Sequence, residues 1–186
     1  MTAADNKTDD ELYARIRLLV LDVDGVLTDG RIVLTGGGEE IKAFHVRDGS
    51  GMKYWKRAGG KLAVISGRGS PAIVHRAREL DVDAVRLNAK DKLPAYEEIL
   101  VELGTAPDAA AVVGDDLPDL PLLLRCGLPV AVADAVEEVR RIAAYVTRAR
   151  GGCGAVREVI ERILKRAGKW DSIMERYLPA GGGMDS

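Results

Sequence analysis

Apolar runs that stop abruptly at carboxylates constrain the fold of this chain more than any other feature. Residues 17–22 read RLLVLD and residues 110–116 read AAVVGDD. Similar short runs fall at 61–66, 84–87, 129–132 and 145–147. A sheet with one wet face alternates apolar and polar residues, whereas uninterrupted runs belong to parallel strands buried on both faces. The intervening stretches supply the cover. Ser70 is placed to cap a helix that Pro71 begins, with Ile73, Val74, Ala77 and Leu80 on one face. The stretch 92–103 carries Leu93, Tyr96, Ile99, Leu100 and Leu103 at helical spacing, and 118–125, 135–143 and 155–167 read as further helices. This alternation predicts a three-layer, Rossmann-like α/β domain with a mainly parallel sheet. One segment departs from it. RIVLTGGGEEIKAFHV, residues 31–46, reads as a β-hairpin, and its glycines lack the GxxxxGK[ST] frame of a phosphate loop.

The chain has 186 residues, a length that suits one domain with a sizeable core. The expected division is an extension at 1–16, the domain at 17–167 and a tail at 168–186, whose end LPAGGGMDS reads as disordered. Net charge is −2, so the basic footprint of a nucleic-acid binder is missing, and any anion must be gripped by a few placed cations. No apolar run approaches the roughly 18 residues of a membrane span. The opening MTAADNKTDDE is acidic and lacks the apolar segment of a secretory signal. Cys126 and Cys153 fit neither a disulfide framework nor a CxxC metal site, and a reduced, cytoplasmic setting is expected.

Three of the expected strands end in unusual chemistry. The first runs into Asp22 with Asp24 beyond it, the second into Ser66 and Gly67, and the fourth into Asp115, followed by Asp116 and Asp119. A parallel sheet brings such ends to one edge, where ligands bind. Carboxylates crowded there repel and raise one another's pKa, a conflict that a divalent cation resolves. Oxygen ligands without a His or Cys cluster point to Mg²⁺ rather than Zn²⁺. Ser66, the Gly67 N–H and Lys92 add donors and a positive charge suited to a phosphoryl group. A single Asp after a strand is ordinarily a cap or turn former. Three strand ends with a lysine are not explained that way.

DVDGVLTDG, ISGR, Lys92 and GDDLPD, in that order, resemble the four motifs of the haloacid dehalogenase-like phosphatases. FHVRDGSGMK at 44–53, GDDLPDLP at 114–121 and GGCGAVREV at 151–159 resemble, more narrowly, the 3-deoxy-D-manno-octulosonate 8-phosphate (KDO 8-phosphate) phosphatases. The likeness runs from about 17 to 164, with Cys153 in a variable slot of the glycine motif and His45 where polar residues vary. It implies a Mg²⁺-dependent phosphatase serving lipopolysaccharide synthesis through an aspartyl-phosphate on Asp22. Asp24 is then the acid and base, and it reaches the metal through its backbone carbonyl. Asp22 and Asp115 bind Mg²⁺ directly, Asp116 and Asp119 support from further out, and Ser66 and Lys92 hold the phosphate.

For the organic part of a sugar-acid phosphate the candidates are His45, Val46, Arg47, Asp48 and Gly49, with Gly67, Arg68 and Arg76 beside Asp24 and Lys92. Arginine grips a carboxylate in bidentate fashion. Neither His45 nor His75 has the partners of a metal ligand. Asp29 either belongs to the motif or fixes the turn into the hairpin. The intervals 22–66 and 66–92 are too short for a folded cap domain, leaving the hairpin as a flap. The resemblance therefore implies a homotetramer in which hairpins pack together and sites are shared. WDSIMERYL, with Trp170, Ile173, Met174, Tyr177 and Leu178, either adds to such a contact or docks on its own subunit. The rival readings are a phosphatase for a nine-carbon sugar-acid phosphate and a non-catalytic oligomeric scaffold.

Overall fold

A computed structural model describes residues 10–178; the acidic stretch 1–9 and the tail from 179 lie outside the described residues. A short helix, α1 (residues 10–15), leads into β1 (Leu18–Leu21). The chain continues through β2 (Val33–Leu34), β3 (Glu40–Ile41), α2 (Val46–Arg57), β4 (Lys61–Ile65), α3 (Pro71–Glu79), β5 (Ala84–Arg86) and α4 (Lys92–Glu102). It ends with β6 (Ala110–Gly114), α5 (Leu120–Leu123), β7 (Leu128–Ala131), α6 (Glu137–Ile142), β8 (Tyr145–Val146), α7 (Ala155–Arg166) and α8 (Trp170–Met174).

Six strands form one sheet in the order β5-β4-β1-β6-β7-β8, and every pairing in it is parallel. β1 is wholly buried, as its unbroken apolar run requires. Its last residue, Leu21, stands opposite Val64 of β4 and Val113 of β6. The residues that follow these three strands therefore emerge side by side. Ser70 caps α3 by accepting the Ala72 N–H at 3.3 Å, and Asp91 caps α4 by accepting the Leu93 N–H at 3.2 Å. Tyr96 and Ile99 of α4 lie fully within the core. Among the described residues no inserted cap domain interrupts the sheet, and no helix is long and apolar enough to cross a membrane.

Three expectations need correction. The hairpin is shorter than 31–46: only Val33–Leu34 and Glu40–Ile41 pair, antiparallel, and Val46 already belongs to a helix. That helix, α2, carries Gly49 and Gly51, which disfavour helix in isolation. Packing explains its survival, since a Cβ at Gly51 would come within 3.0 Å of Arg157 Cδ on α7. Val74, expected on the buried face of α3, is exposed. The expected helix 118–125 is a 3-10 turn (Leu117–Asp119) running into the short α5. In WDSIMERYL, α8 docks on its own chain. Ile173 is buried there, and Trp170 and Tyr177 meet the Tyr54 ring edge-on at 6.1 and 5.9 Å.

Candidate active site

Asp22 follows β1 directly, and its backbone N–H still donates to Val113 O of β6 at 3.2 Å. The chain then winds around one carbonyl: Val23 O accepts the N–H groups of Val26, Leu27 and Thr28 at 3.3, 3.0 and 2.9 Å. Gly25 allows this turn with φ +102°, and a side chain there would stand 2.0 Å from Asp115 Oδ2. The glycine motif backs the same loop. A Cβ at Gly151 would lie 1.6 Å from Gly25 O, so the two backbones approach as only glycine permits.

Past β6, Asp119 folds back on the strand end. Its Oδ2 accepts the backbone N–H groups of Asp115 and Asp116 at 3.0 and 3.4 Å. Its Oδ1 accepts from Lys92 Nζ at 2.7 Å, and the same nitrogen donates to Asp22 Oδ1 at 2.6 Å. Lys92, at the start of α4, is only 6% exposed. Asp22, Asp115 and Asp119 each bring a carboxylate oxygen within 4.8 Å of the others. Burial, reinforced by the Asp119 charge, pushes the Asp22 carboxyl up to about 6. Burial and the charges of Asp22 and Asp119 push Asp115 up to about 8. Burial opposes the Lys92 charge, but Asp22 and Asp119 outweigh it and hold the ammonium above its ordinary range.

One lysine among three carboxylates leaves excess negative charge in a sparsely hydrated place. The all-oxygen donor set fits a hard divalent cation, and Mg²⁺ above all. Asp22 and Asp115 are the direct carboxylate candidates, because both oxygens of Asp119 already have donors.

Ser66, 1% exposed, follows β4, and its Oγ accepts the Arg68 N–H at 3.2 Å. Gly67 and Arg68 beside it are exposed. Asp24 is held by a residue that sequence reasoning missed: Lys42 Nζ donates to its Oδ1. Lys42 also donates to Glu40 Oε1 at 3.2 Å, and Arg68 Nη2 reaches that oxygen at 3.2 Å. The only trace in the sequence is a lysine within an otherwise strand-like run, IKAF.

Several expected site residues also make structural contacts. Asp116 is exposed and caps the turn by accepting the Leu117 N–H at 2.8 Å. Asp48 is buried, and its carboxylate accepts the backbone N–H groups of Arg157 and Gly154 at 2.8 and 3.2 Å. It therefore anchors the start of α7. Arg76 pairs with Glu79 at 2.8 Å and lies over the Phe44 ring, while a Cβ at Gly49 would meet its Nη2 at 2.2 Å. His45 occupies the position before α2 without capping it, and Val46 and Arg47 are exposed. Asp29 accepts the Arg31 N–H at 3.2 Å and fixes the turn into the hairpin.

Comparison with known proteins agrees with this geometry. Residues 87–160 match the family model described as haloacid dehalogenase-like hydrolase. The chain is 46% identical over 151 residues to the 3-deoxy-D-manno-octulosonate 8-phosphate phosphatase KdsC of Yersinia pestis, covering 81% of each. It is 46% identical over 156 residues to KdsC of Escherichia coli (strain K12), covering 84% of this chain and 83% of that one. Among solved structures, that of the 3-deoxy-D-manno-octulosonate 8-phosphate phosphatase from Moraxella catarrhalis, in complex with magnesium, phosphate and KDO, superposes with a TM-score of 0.89. It is 36% identical, with 95% of this chain and 100% of that one covered. The chain belongs to the KDO 8-phosphate phosphatase (KdsC) family of the haloacid dehalogenase-like hydrolases.

Proposed function

We propose that this protein hydrolyses KDO 8-phosphate to KDO and inorganic phosphate with Asp22 as the nucleophile. The observation that carries the reading is the buried set of Asp22, Asp115 and Asp119 around Lys92, in a chain 46% identical to KdsC enzymes. Mg²⁺, which the Moraxella catarrhalis relative binds, is the metal assigned here, held by Asp22, Asp115 and the Asp24 backbone carbonyl. Bound there, it supplies positive charge that lowers the repulsion between the carboxylate and the phosphate.

The Asp22 carboxylate attacks phosphorus in line, and the bond from phosphorus to the sugar oxygen breaks. Asp24 gives its proton to that oxygen. It then takes a proton from the water that displaces Asp22 and releases phosphate. Lys92, Ser66 and the Gly67 N–H orient the phosphate oxygens. Arg68 and Arg47, exposed beside this edge, are assigned to the sugar-acid carboxylate.

Ile32, Val33, Leu34 and Ile41 leave large apolar side chains exposed on and beside the hairpin. Such a surface on a short two-stranded ribbon favours a covering chain. It supports self-association through the hairpin, and the assembly we propose is a cytoplasmic homotetramer with shared sites. The deciding assay is phosphate release from KDO 8-phosphate with Mg²⁺ and with chelator. Asp22→Asn should abolish turnover. Arg68→Ala and Arg47→Ala should cost about 1.5–3 kcal/mol in kcat/KM for KDO 8-phosphate. They should cost little for a small generic phosphoester. Better turnover of neutral hexose phosphates by the native protein would overturn the substrate.

A further inference from the structure

We propose that Lys42 is a positioning residue for the catalytic acid. It holds Asp24 by Oδ1 and so leaves Oδ2 as the oxygen that delivers and receives the proton. The inference rests on the phosphatase reading and adds to it a residue outside the four motifs.

Lys42 sits just after β3, on the returning arm of the hairpin, and its side chain is 1% exposed. Its ammonium touches two carboxylates, Asp24 Oδ1 and Glu40 Oε1. Arg68, beyond β4, anchors Glu40 from the other side. The hairpin and the loop after β4 are thus joined through the Glu40 carboxylate, and the ammonium group bound to it fixes Asp24. The other Asp24 oxygen, Oδ2, is buried and has no hydrogen-bond partner among the described residues.

The chemistry distinguishes the two oxygens. A lysine ammonium has three donors and no acceptor. The oxygen that receives its hydrogen bond keeps its lone pairs and cannot present a proton in that direction. A neutral Asp24 therefore carries its proton on Oδ2. As the bond from phosphorus to the sugar oxygen breaks, its electron pair stays on that oxygen, which takes the Oδ2 proton. Asp24 is left as a carboxylate. In the second half-reaction water attacks phosphorus, the bond to Asp22 breaks with its electrons returning to that carboxylate, and the water proton passes to Oδ2. A buried oxygen without a partner is otherwise costly, which suits a group kept for proton transfer. Lys42 touches Asp24 rather than the reacting atoms, so its effect passes through the orientation of that side chain.

The test exploits the leaving group. Alkoxide departure needs a proton, whereas p-nitrophenolate departs without one. Enzymes are mixed with Mg²⁺ and either KDO 8-phosphate or p-nitrophenyl phosphate, and the rate of the first half-reaction is read by rapid quench. Lys42→Met should slow departure of KDO by about 100-fold, the lower part of the range for lost acid catalysis. The nitrophenolate burst, which also reports an intact fold and site, should change less than about threefold. Lys42→Arg should recover part of the loss. In an Asp24→Asn background, Lys42→Met should cost nothing further.

Equal losses on both substrates, or a full additional loss in the double variant, would show that Lys42 binds phosphate or supports the fold, and would overturn the inference. If the wild type rejects KDO 8-phosphate but hydrolyses another alkyl phosphate, the substrate reading falls and the same comparison proceeds on that ester. A wild type inert toward every phosphoester overturns both.

Discussion

Replacing Lys92 by Met isolates the electrostatics of the carboxylate edge, because the stem is kept and the charge removed. The ammonium is the shared partner of Asp22 and Asp119, and it is nearly inaccessible to water. Breaking a buried ion pair by deleting one partner costs about 3–5 kcal/mol. The protein has one escape, which is to protonate a carboxylate. From an ordinary Asp pKa of 3.8, that costs about 1.4 kcal/mol for each pH unit above it. Protonation is cheap at pH 5, about 1.7 kcal/mol, and at pH 8 it exceeds the ion-pair cost. The stability loss in chelator should therefore be at most about 1.7 kcal/mol at pH 5 and about 3–5 kcal/mol at pH 8. Urea unfolding followed by tryptophan fluorescence measures it, with Trp55 buried and donating to Lys61 O at 2.8 Å. Added Mg²⁺ should shrink the loss at pH 8 by restoring positive charge. A loss equal at the two pH values, or below about 1 kcal/mol at pH 8, would refute the reasoning.

Gly25→Ala should displace Asp115, because the new methyl would stand 2.0 Å from its Oδ2, and Mg²⁺ affinity by titration calorimetry should fall at least about tenfold; unchanged affinity would contradict the packing. The metal-free wild type should lose stability as pH rises from about 4 to about 9. Asp22 and Asp115 have raised pKa values in the folded state, so the native protein holds more protons than the unfolded chain across that window. Mg²⁺ should flatten the slope in chemical denaturation, and a rising curve would oppose it. Val33→Ser with Leu34→Ser should dissociate the assembly in sedimentation velocity, since both side chains lie exposed on the hairpin; an unchanged oligomer would remove the hairpin from the interface.

The sheet was legible because parallel strands advertise themselves as unbroken apolar runs, and 110–114 was read to the residue. The carboxylate edge was legible for the same reason, since Asp22 and Asp115 follow such runs directly. α2 was not legible: its Gly49 and Gly51 argue against helix locally, and the close approach of Arg76 on α3 to the first and of α7 to the second overrules them. The contact of Asp48 with α7 was not legible because its partner amides lie 106 and 109 residues further along the chain. Lys42 escaped notice because a hairpin lysine ordinarily faces water, and nothing nearby in sequence announces that Asp24 is waiting for it.

The parallel register of β1 with β4 and β6 also bears on how the protein comes into being. Leu21 meets Val64 and Val113 only after long loops have closed, and such closures are slow and entropically costly. No local fragment of the chain holds even a rudimentary version of the catalytic edge. A nascent chain still emerging from the ribosome carries Asp22 long before it carries Lys92 or Asp115. Reactivity is thereby withheld until residues as distant as Lys92 and Asp115 have been made, and the central strand acts as a timer as well as a scaffold.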